Sequence, residues 1–159
     1  MSPTYFTRDG HKRYTERVAA VESKLDDLTR KNAEALEQGN QWHDNFAWEQ
    51  LQREISQADH YLRELRRPLA QVRIVDYPAS VDSVVLGCEV DVEQDGRRYT
   101  YQIVAYGDDD FESDKILYDT PLAQAIIDKR KGSMFTAKIV NRNMRICILD
   151  VRPIKTVKD

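Results

Sequence analysis

The side chains best suited to chemistry lie in one short stretch, residues 38–48, between two helical patterns. In succession it contains Gln41, Trp42, His43, Asp44 and Asn45. Carboxylate oxygens are ligands that hard cations prefer, an imidazole can carry a proton near neutral pH, and an exposed indole can stack on a base. Asp44 or Asn45 could also cap the helix that follows, and such a role is compatible with chemistry. We interpret this stretch as the tip of a helical hairpin and expect any chemistry of the chain there.

The composition is that of a soluble folded protein. The chain has 159 residues and a net charge of −3, which argues against a nucleic-acid-binding protein. No run approaches the roughly 20 apolar residues that cross a bilayer, and the first residues lack the apolar core of a signal peptide. Cys88 and Cys147 lie in apolar strand-like runs, which favours reduced thiols; a disulfide between them would need an oxidising compartment. We therefore expect a cytoplasmic protein that does not contact membranes.

Two helices with heptad patterns must position the tip. Thr7 is a good N-cap for the first helix, and Pro68 ends the second. The seam positions are Tyr14, Val18, Val21, Leu25, Leu28, Asn32 and Ala35, then Trp48, Leu51, Ile55, Ala58, Leu62 and Leu65. Such seams bury themselves only against another helix, and a polar Asn32 within one fixes register. The short connection favours an antiparallel hairpin over residues 1–68, with its tip at 38–46, in a monomer. A parallel homodimer is the competing arrangement.

Residues 69–159 change to a period of two, which predicts a sheet. The expected strands cover 72–75, 84–92, 99–106, 115–118, 135–140 and 144–151. Asp95-Gly96 predicts a hairpin turn, residues 141–143 a second turn, and Thr120-Pro121 the start of a short helix over 122–128. The chain is therefore predicted to be α+β, a helical hairpin followed by an antiparallel sheet with one short helix.

Other charged groups have simpler interpretations. The acidic loop 108–114 lacks the spaced oxygen ligands of an EF-hand, which favours a solvated loop. His11, His43 and His60 are too far apart in helical register for an obvious metal site. The basic residues near the base of the hairpin form either surface ion pairs or a contact with a phosphate backbone; they are Lys12, Arg13, Arg17, Arg63, Arg66 and Arg67.

Four short motifs follow one another along the chain. Residues 7–13 read Thr-x-x-Gly with basic residues after it, and residues 44–48 read acid-Asn-x-x-aromatic. Residues 101–104 read Tyr-Gln-Ile-Val, and residues 120–127, with Lys129, are similar to Ser-Pro-Leu-x-x-Ala. Together with the helical hairpin, this ordered set resembles the GreA/GreB transcript-cleavage factors of bacteria. The resemblance implies an FKBP-like fold for the C-terminal domain, residues 69–159.

The resemblance also implies a function. Such proteins bind RNA polymerase through the C-terminal domain and insert the hairpin tip into the secondary channel. Two acids at the tip help to hold a second Mg²⁺ in the polymerase active site, and the polymerase then hydrolyses the backtracked nascent RNA. The chain would be an accessory factor rather than an enzyme, with no cofactor of its own. Aligned on Asn45, Asp44 takes the second acidic position, and the neutral Gln41 replaces the first acid.

Particular residues acquire roles from this resemblance. Asp44 is the tip acid that assists the polymerase Mg²⁺, and His43 is a candidate proton carrier. Gln41, Trp42 and Asn45 are candidate tip contacts, although Trp42 could instead cover the end of the seam. The candidate polymerase-binding residues are Asp108, Asp109, Asp110, Thr120 and Pro121.

Three alternatives stay open. A homologue with one tip acid could occupy the channel and inhibit transcription without stimulating RNA cleavage. An FKBP-like sheet could instead serve a prolyl isomerase or chaperone, with a pocket drawn from Tyr99, Tyr101, Tyr106, Phe111 and Tyr118. The third alternative is a coiled-coil dimer that acts as a scaffold.

Overall fold

The computed structural model describes residues 2–37, 45–109 and 114–155. The elements are β1 (Thr4–Phe6), α1 (Arg8–Glu37), α2 (Asn45–Arg66), a 3₁₀ turn (Arg67–Ala70), β2 (Val72–Ile74), β3 (Cys88–Gln94), β4 (Arg97–Val104), β5 (Lys115–Leu117), α3 (Pro121–Ile126), β6 (Met134–Ile139) and β7 (Arg142–Pro153). The predicted α+β class, with a long helix pair before the sheet, is confirmed. Strand β1 was not predicted; it pairs with β2 in a separate two-stranded sheet.

The chain divides into two compact units. One contains Met1–Thr4 and Lys12–Val72, and the other contains Tyr5–His11 and Arg73–Asp159. The boundary therefore falls inside α1, between its first turn and the rest of the helix.

In the first unit, α1 and α2 pair antiparallel, as the heptad pattern predicts. The Tyr14 hydroxyl donates to the Leu65 carbonyl oxygen at 2.7 Å, and Gln52 contacts Asn32 further along α1. Residues further along α1 therefore contact residues nearer the start of α2, as expected for an antiparallel pair. The buried seam residues are Tyr14, Val18, Leu28, Leu62 and Leu65. Burial of these positions from both helices supplies the apolar contact that a single amphipathic helix lacks.

The polar seam residue Asn32 is satisfied across the hairpin. The Gln52 side-chain amide donates to Asn32 Oδ1 at 2.7 Å, and Asn32 is half-buried. This hydrogen bond is compatible with only one register of the two helices. A slip by one turn would separate the two side-chain amides.

Basic residues near the base of the hairpin form ion pairs with nearby carboxylates. Arg66 pairs with Glu22 across the two helices, and Arg67 lies 2.9 Å from Glu64. Arg63 likewise lies 2.7 Å from Asp59 within α2. These contacts are exposed, and they favour the surface ion-pair interpretation over a contact with phosphates.

The second unit holds a five-stranded sheet in the order β5-β4-β3-β7-β6. Four strands pair antiparallel, as predicted, but β5 pairs parallel to β4. The expectation of a wholly antiparallel sheet was wrong in this pairing, because Gln102 to Val104 of β4 and Lys115 to Leu117 of β5 run in the same direction. The core between the sheet and α3 consists of Val84, Cys88, Val90, Val92, Ile103, Ala123, Ile126, Ile146 and Ile148.

Two tight turns join the antiparallel strands. Asp95 and Gly96 have positive φ values of 49° and 86°, which suits the twist of a two-residue hairpin and agrees with the prediction. Val140 and Asn141, with φ of 49° and 63°, form the other turn. The predicted turn at 141–143 was therefore one residue late, because Val140 occupies a conformation that β-branched residues rarely adopt. The predicted strand 84–92 begins only at Cys88.

A charged cluster lies on the solvent-facing side of this sheet. The Arg152 guanidinium contacts Glu89 Oε1 at 2.5 Å, Asp91 Oδ2 at 2.7 Å and Asp150 Oδ2 at 3.3 Å. Hydrogen bonds from Arg152 hold the pKa of Glu89 and of Asp91 below their usual range. The Thr100 hydroxyl adds a hydrogen bond to Asp91 at 2.7 Å. One cation thus holds three carboxylates on adjacent strands β3 and β7.

We expect Arg152→Met to lower the free energy of unfolding by about 1 kcal/mol at neutral pH, because water screens partly exposed ion pairs. The lowered pKa values of Glu89 and Asp91 mean that the stabilisation exists above their ordinary pKa values. It is lost as the pH falls through the folded-state values. The difference between wild type and variant should therefore shrink below about pH 4. Urea denaturation at neutral and acid pH measures this difference.

Arg142→Met is the matched control, since Arg142 contacts Asp95 at 3.5 Å on the surface. Its effect should stay within about 0.5 kcal/mol. A penalty for Arg152→Met that grows in acid would contradict the stabilising role of the cluster.

Candidate functional site

Most of the predicted tip lies outside the described residues. Gln41, Trp42, His43 and Asp44 fall in the gap between α1 and α2. Asn45 is the first residue of α2, so this helix begins inside the stretch 38–46 that was predicted to be the tip. The chemistry expected at the tip therefore stays a prediction from the sequence.

The helix ends beside this gap expose apolar side chains. Leu36 is 66% exposed near the end of α1, and Phe46 is 65% exposed in the first turn of α2. Trp48 was predicted to pack in the seam, but it is 46% exposed, so its burial is less than the seam pattern predicts. The buried seam positions of α2 are Leu62 and Leu65, which lie towards the base of the hairpin. Exposed aromatic groups next to a hairpin tip are available to contact a partner.

The first turn of α1 forms a second site, within the second unit. The Thr7 Oγ1 accepts a hydrogen bond from the Gly10 amide at 3.0 Å, which is the predicted N-cap. The same hydroxyl donates to the Asp108 carboxylate, with distances of 3.0 Å and 2.9 Å to its two oxygens. The capping hydroxyl thus joins the helix start to a residue that lies after β4.

Asp108 is the centre of this site. Besides Thr7, the Tyr77 hydroxyl contacts Asp108 Oδ2 at 2.5 Å, and it also accepts from the Ala105 amide at 3.0 Å. The ring of Tyr77 lies against Gly87, where an added Cβ would come within 2.7 Å of the ring. The Asp108 carboxylate, a candidate polymerase-binding group, is therefore engaged by hydroxyl groups of its own unit.

Two glycines let the backbones meet at this site. A Cβ on Gly107, whose φ is +88°, would lie 2.1 Å from the Gly10 carbonyl oxygen. A Cβ on Gly10 would lie 2.6 Å from Asp108 Oδ1 and 2.8 Å from Thr7 Oγ1. Helix propensity disfavours glycine in the first turns of α1, and this contact explains why Gly10 is nevertheless used.

The remaining candidate residues of the C-terminal domain have clear local roles. Asp109 Oδ1 accepts from the Gly107 amide at 3.2 Å, while Asp110 lies outside the described residues. Thr120 caps α3 by accepting from the Ala123 amide at 3.4 Å. Pro121 follows at the first helical position and is exposed.

The aromatic residues considered for an isomerase pocket pack largely against one another. The rings of Tyr106 and Tyr118 lie 6.0 Å apart edge to face, and Tyr118 meets Tyr5 in the same way at 5.4 Å. Tyr99 and Tyr101 stack at 5.9 Å on strand β4. Phe111 lies outside the described residues. This packing gives no specific support to a peptide-isomerising pocket.

The described residues contain neither a cluster for a metal ion nor a helix for crossing a membrane. Among residues 2–37, 45–109 and 114–155, no three His, Cys, Asp or Glu side chains come together in a way that could hold a metal ion. Within the same ranges, no helix combines the length and apolarity needed to cross a bilayer. Both Cys88 and Cys147 are free thiols, as predicted, and burial raises the pKa of Cys88.

The sequence did not predict Tyr77 or Gly107 as members of the site around Asp108. Gly107 directly follows the predicted strand 99–106, and a glycine there could have suggested a close backbone approach. No comparable signal marks Tyr77, because its partners lie far away in the sequence.

Known proteins are similar to this chain in sequence. The sequence model of the family described as "Transcription elongation factor, GreA/GreB, C-term" matches residues 79–153. GreA of Thioalkalivibrio sulfidiphilus is 30% identical over 110 residues, which cover 67% of this chain and 69% of that protein. GreA of Chloroflexus aggregans is 29% identical over 156 residues, which cover 94% and 98% of the two chains. The crystal structure of GreA factor homolog 1 (Gfh1) of Thermus thermophilus matches with a TM-score of 0.46 and 18% identity, covering 94% of this chain and 99% of that one.

The backbone contact at Gly107 can be tested against a matched glycine. Gly96 has nearly the same φ, +86° against +88°, but an added Cβ there meets nothing within 4 Å. Gly96→Ala should therefore cost only the strain of a positive φ, about 1–2 kcal/mol. Gly107→Ala should cost at least about 2 kcal/mol more, because its Cβ overlaps the Gly10 backbone. Urea denaturation followed by circular dichroism measures both variants, and equal losses would contradict the close approach.

Proposed function

The chain belongs to the GreA/GreB family of transcription elongation factors, and we propose that it binds bacterial RNA polymerase and inserts its hairpin tip into the secondary channel. There it would act on backtracked elongation complexes as an accessory factor. The antiparallel helix pair is the observation that carries this proposal. Polymerase as the partner would also place the protein in the cytoplasm.

The hairpin has the dimensions of a probe. Helix α1 has 30 residues, which corresponds to about 45 Å at 1.5 Å per residue. Its seam is met by α2 of the same chain, so we propose that the protein works as a monomer. In the sequence, the predicted tip residues follow the end of α1 and precede most of α2, whereas the Tyr14–Leu65 contact joins the start of α1 to the end of α2. A pair of helices can thus present a few residues at the end of a narrow rod.

The tip supplies one carboxylate where the family uses two acids. We propose that Asp44 offers an oxygen ligand to Mg²⁺ in the polymerase active site, where that ion would support hydrolysis of the RNA. Gln41 offers a neutral oxygen in place of the other acid, which weakens the attraction for a divalent cation. His43 lies beside Asp44 in the sequence and is the proposed proton carrier.

Aromatic groups around the tip are proposed to contact the polymerase or the RNA. Phe46 and Trp48 are exposed in the first turns of α2, and Trp42 and Asn45 lie at or next to the same connection. Exposed rings can stack on the bases of a single strand in a sequence-tolerant way. This property suits a factor that meets nascent RNA of any sequence.

For the C-terminal domain, we propose that the exposed Pro121 at the start of α3 belongs to the polymerase-binding surface. Thr120 would contribute by holding the helix start, and Asp109 and Asp110 by their charge. Asp108 has a different proposed role, since its carboxylate meets Thr7 and Tyr77. It would keep the start of α1 in place.

A second candidate function follows from Gln41. With a single tip acid, the protein could occupy the channel and inhibit transcription without promoting cleavage. The two functions share the same binding event and differ only in the fate of the RNA.

The decisive experiment uses a stalled, backtracked bacterial elongation complex whose RNA is labelled inside the transcript. Gln41→Asp should release more shortened RNA than the wild type, because it restores the second anionic ligand. Asp44→Ala should release none above the rate of polymerase alone. Removal of one ligand of the catalytic Mg²⁺ should slow RNA cleavage by about tenfold or more.

Competition with an active GreA or GreB factor is the control for binding. The wild type and Asp44→Ala should reduce cleavage by that factor when added in excess, because each retains the hairpin and the C-terminal domain. Failure of the wild type to compete or to change elongation would contradict the proposed function. Competition without any cleavage by Gln41→Asp would support the inhibitory alternative.

A further inference from the structure

Strand β6 forms an outer edge of the five-stranded sheet. It lies last in the strand order and pairs along its whole length, Met134 to Ile139, with β7 on one side. Among the described residues, no strand pairs with its other side. An edge of this kind presents backbone donors and acceptors that an additional strand can use.

The pairing pattern identifies which backbone groups face outwards. Ile139 and Arg142 flank a two-residue turn, and the flanking pair of such a turn is a hydrogen-bonded pair. The alternation of an antiparallel ladder then directs every second residue of β6 towards β7. The amide and carbonyl groups of Met134, Thr136 and Lys138 are consequently directed away from the sheet.

The Ile148 amide gives an independent check of this phase. It donates to the carbonyl oxygen of Ser133 at 2.9 Å, so Ser133 is bonded to β7 and its neighbour Met134 belongs to the outward set. Both ends of β6 therefore give the same assignment.

Side chains along this edge combine apolar and basic groups. Met134 is 69% exposed at the start of β6, and Val140 is 79% exposed just after its end. Lys138 is exposed between them, and the segment before the strand reads Lys129-Arg130-Lys131. A depression of about 590 Å³ is lined by Met134 together with Glu93, Asp95, Gly96, Arg145, Ile146 and Cys147, so the acids lie on the side of Met134 towards β7 and β3.

We propose that β6 is a docking strand for an extended acidic segment of a partner protein. The partner segment would add a sixth strand to the sheet through the outward groups of Met134, Thr136 and Lys138. Its acidic side chains would meet Lys138 and the preceding basic residues, and an apolar side chain would lie against Met134. Backbone hydrogen bonds would supply affinity, and the alternate side chains would supply selectivity.

The charge also decides against a second copy of this chain as the occupant. In an antiparallel pairing of two β6 strands, the end of one strand lies beside the start of the other. Lys138 of each copy would therefore approach the basic 129–131 segment of the other copy. Lysine on an edge strand is a common means by which proteins avoid such pairing. An acidic segment converts the same charges from repulsive to attractive.

The test uses a fluorescein-labelled peptide of sequence Glu-Val-Glu-Val-Glu-Val-Glu and a matched peptide with lysine in place of glutamate. Fluorescence anisotropy with the full chain should show saturable binding of the acidic peptide, with a Kd below about 1 mM, and no binding of the basic one. Thr136→Pro should weaken binding about tenfold, because it removes an outward amide without touching the bonds to β7. Thr136→Ala keeps that amide and should bind as the wild type does.

A second measurement does not depend on a variant that folds. Amide signals of Met134, Thr136 and Lys138 in ¹H–¹⁵N spectra should shift most when the acidic peptide is added. Lys138→Glu should weaken binding of the acidic peptide and permit binding of the basic one. The proposal is overturned if neither peptide binds, if both bind equally, or if sedimentation shows that β6 pairs two copies of the chain. Because the site does not involve the hairpin tip, these results are independent of transcript cleavage.

Discussion

The close approach of the Gly10 and Gly107 backbones is the contact on which the start of the first helix depends. Because neither position has a Cβ, the Asp108 carboxylate lies about 3 Å from Thr7 Oγ1 and accepts a hydrogen bond from it. It accepts a second hydrogen bond from the Tyr77 hydroxyl. A side chain at position 107 would overlap the Gly10 carbonyl group, and these hydrogen bonds could not form together with it. The cap of α1 is therefore a tertiary structure as well as a local one, because its hydroxyl is shared between the helix and a distant acid.

Periodic and local features of the fold could be predicted from the sequence. The heptad seams, the Asp95-Gly96 turn and the capped helix at Thr120 each depend on residues within a few positions of one another. Pairings between distant segments could not be predicted in the same way. Strand β1 pairs with β2 across almost 70 positions of sequence, and β5 runs parallel to β4. No local propensity distinguishes these pairings from their alternatives.

The candidate sites show the same limit in chemical terms. Asp108 lies in a run of acids, which indicates a solvated and available carboxylate, yet its partner hydroxyl on Thr7 is 101 positions away. The role of Gly10 had no local explanation for the same reason, since its neighbour is Gly107. Asp44 and Gln41, in contrast, acquire meaning only from the family pattern, because a single carboxylate on a connection between helices has no spacing from which a metal site could be inferred. Motifs therefore predict a location for the function, and long-range contacts show that Asp108 has a structural use.

The Asn32–Gln52 hydrogen bond, together with the heptad seam, has a consequence for how the length of the hairpin can vary. Seven residues span two turns of helix, so a seven-residue module added to both helices on the tip side of this pair would preserve every packed face. Each such module would move the tip by about 10 Å along the axis. Insertions of other lengths, or in one helix alone, would rotate the tip or break the pairing of the helices. The length of the hairpin can therefore change only in steps of seven residues in each helix.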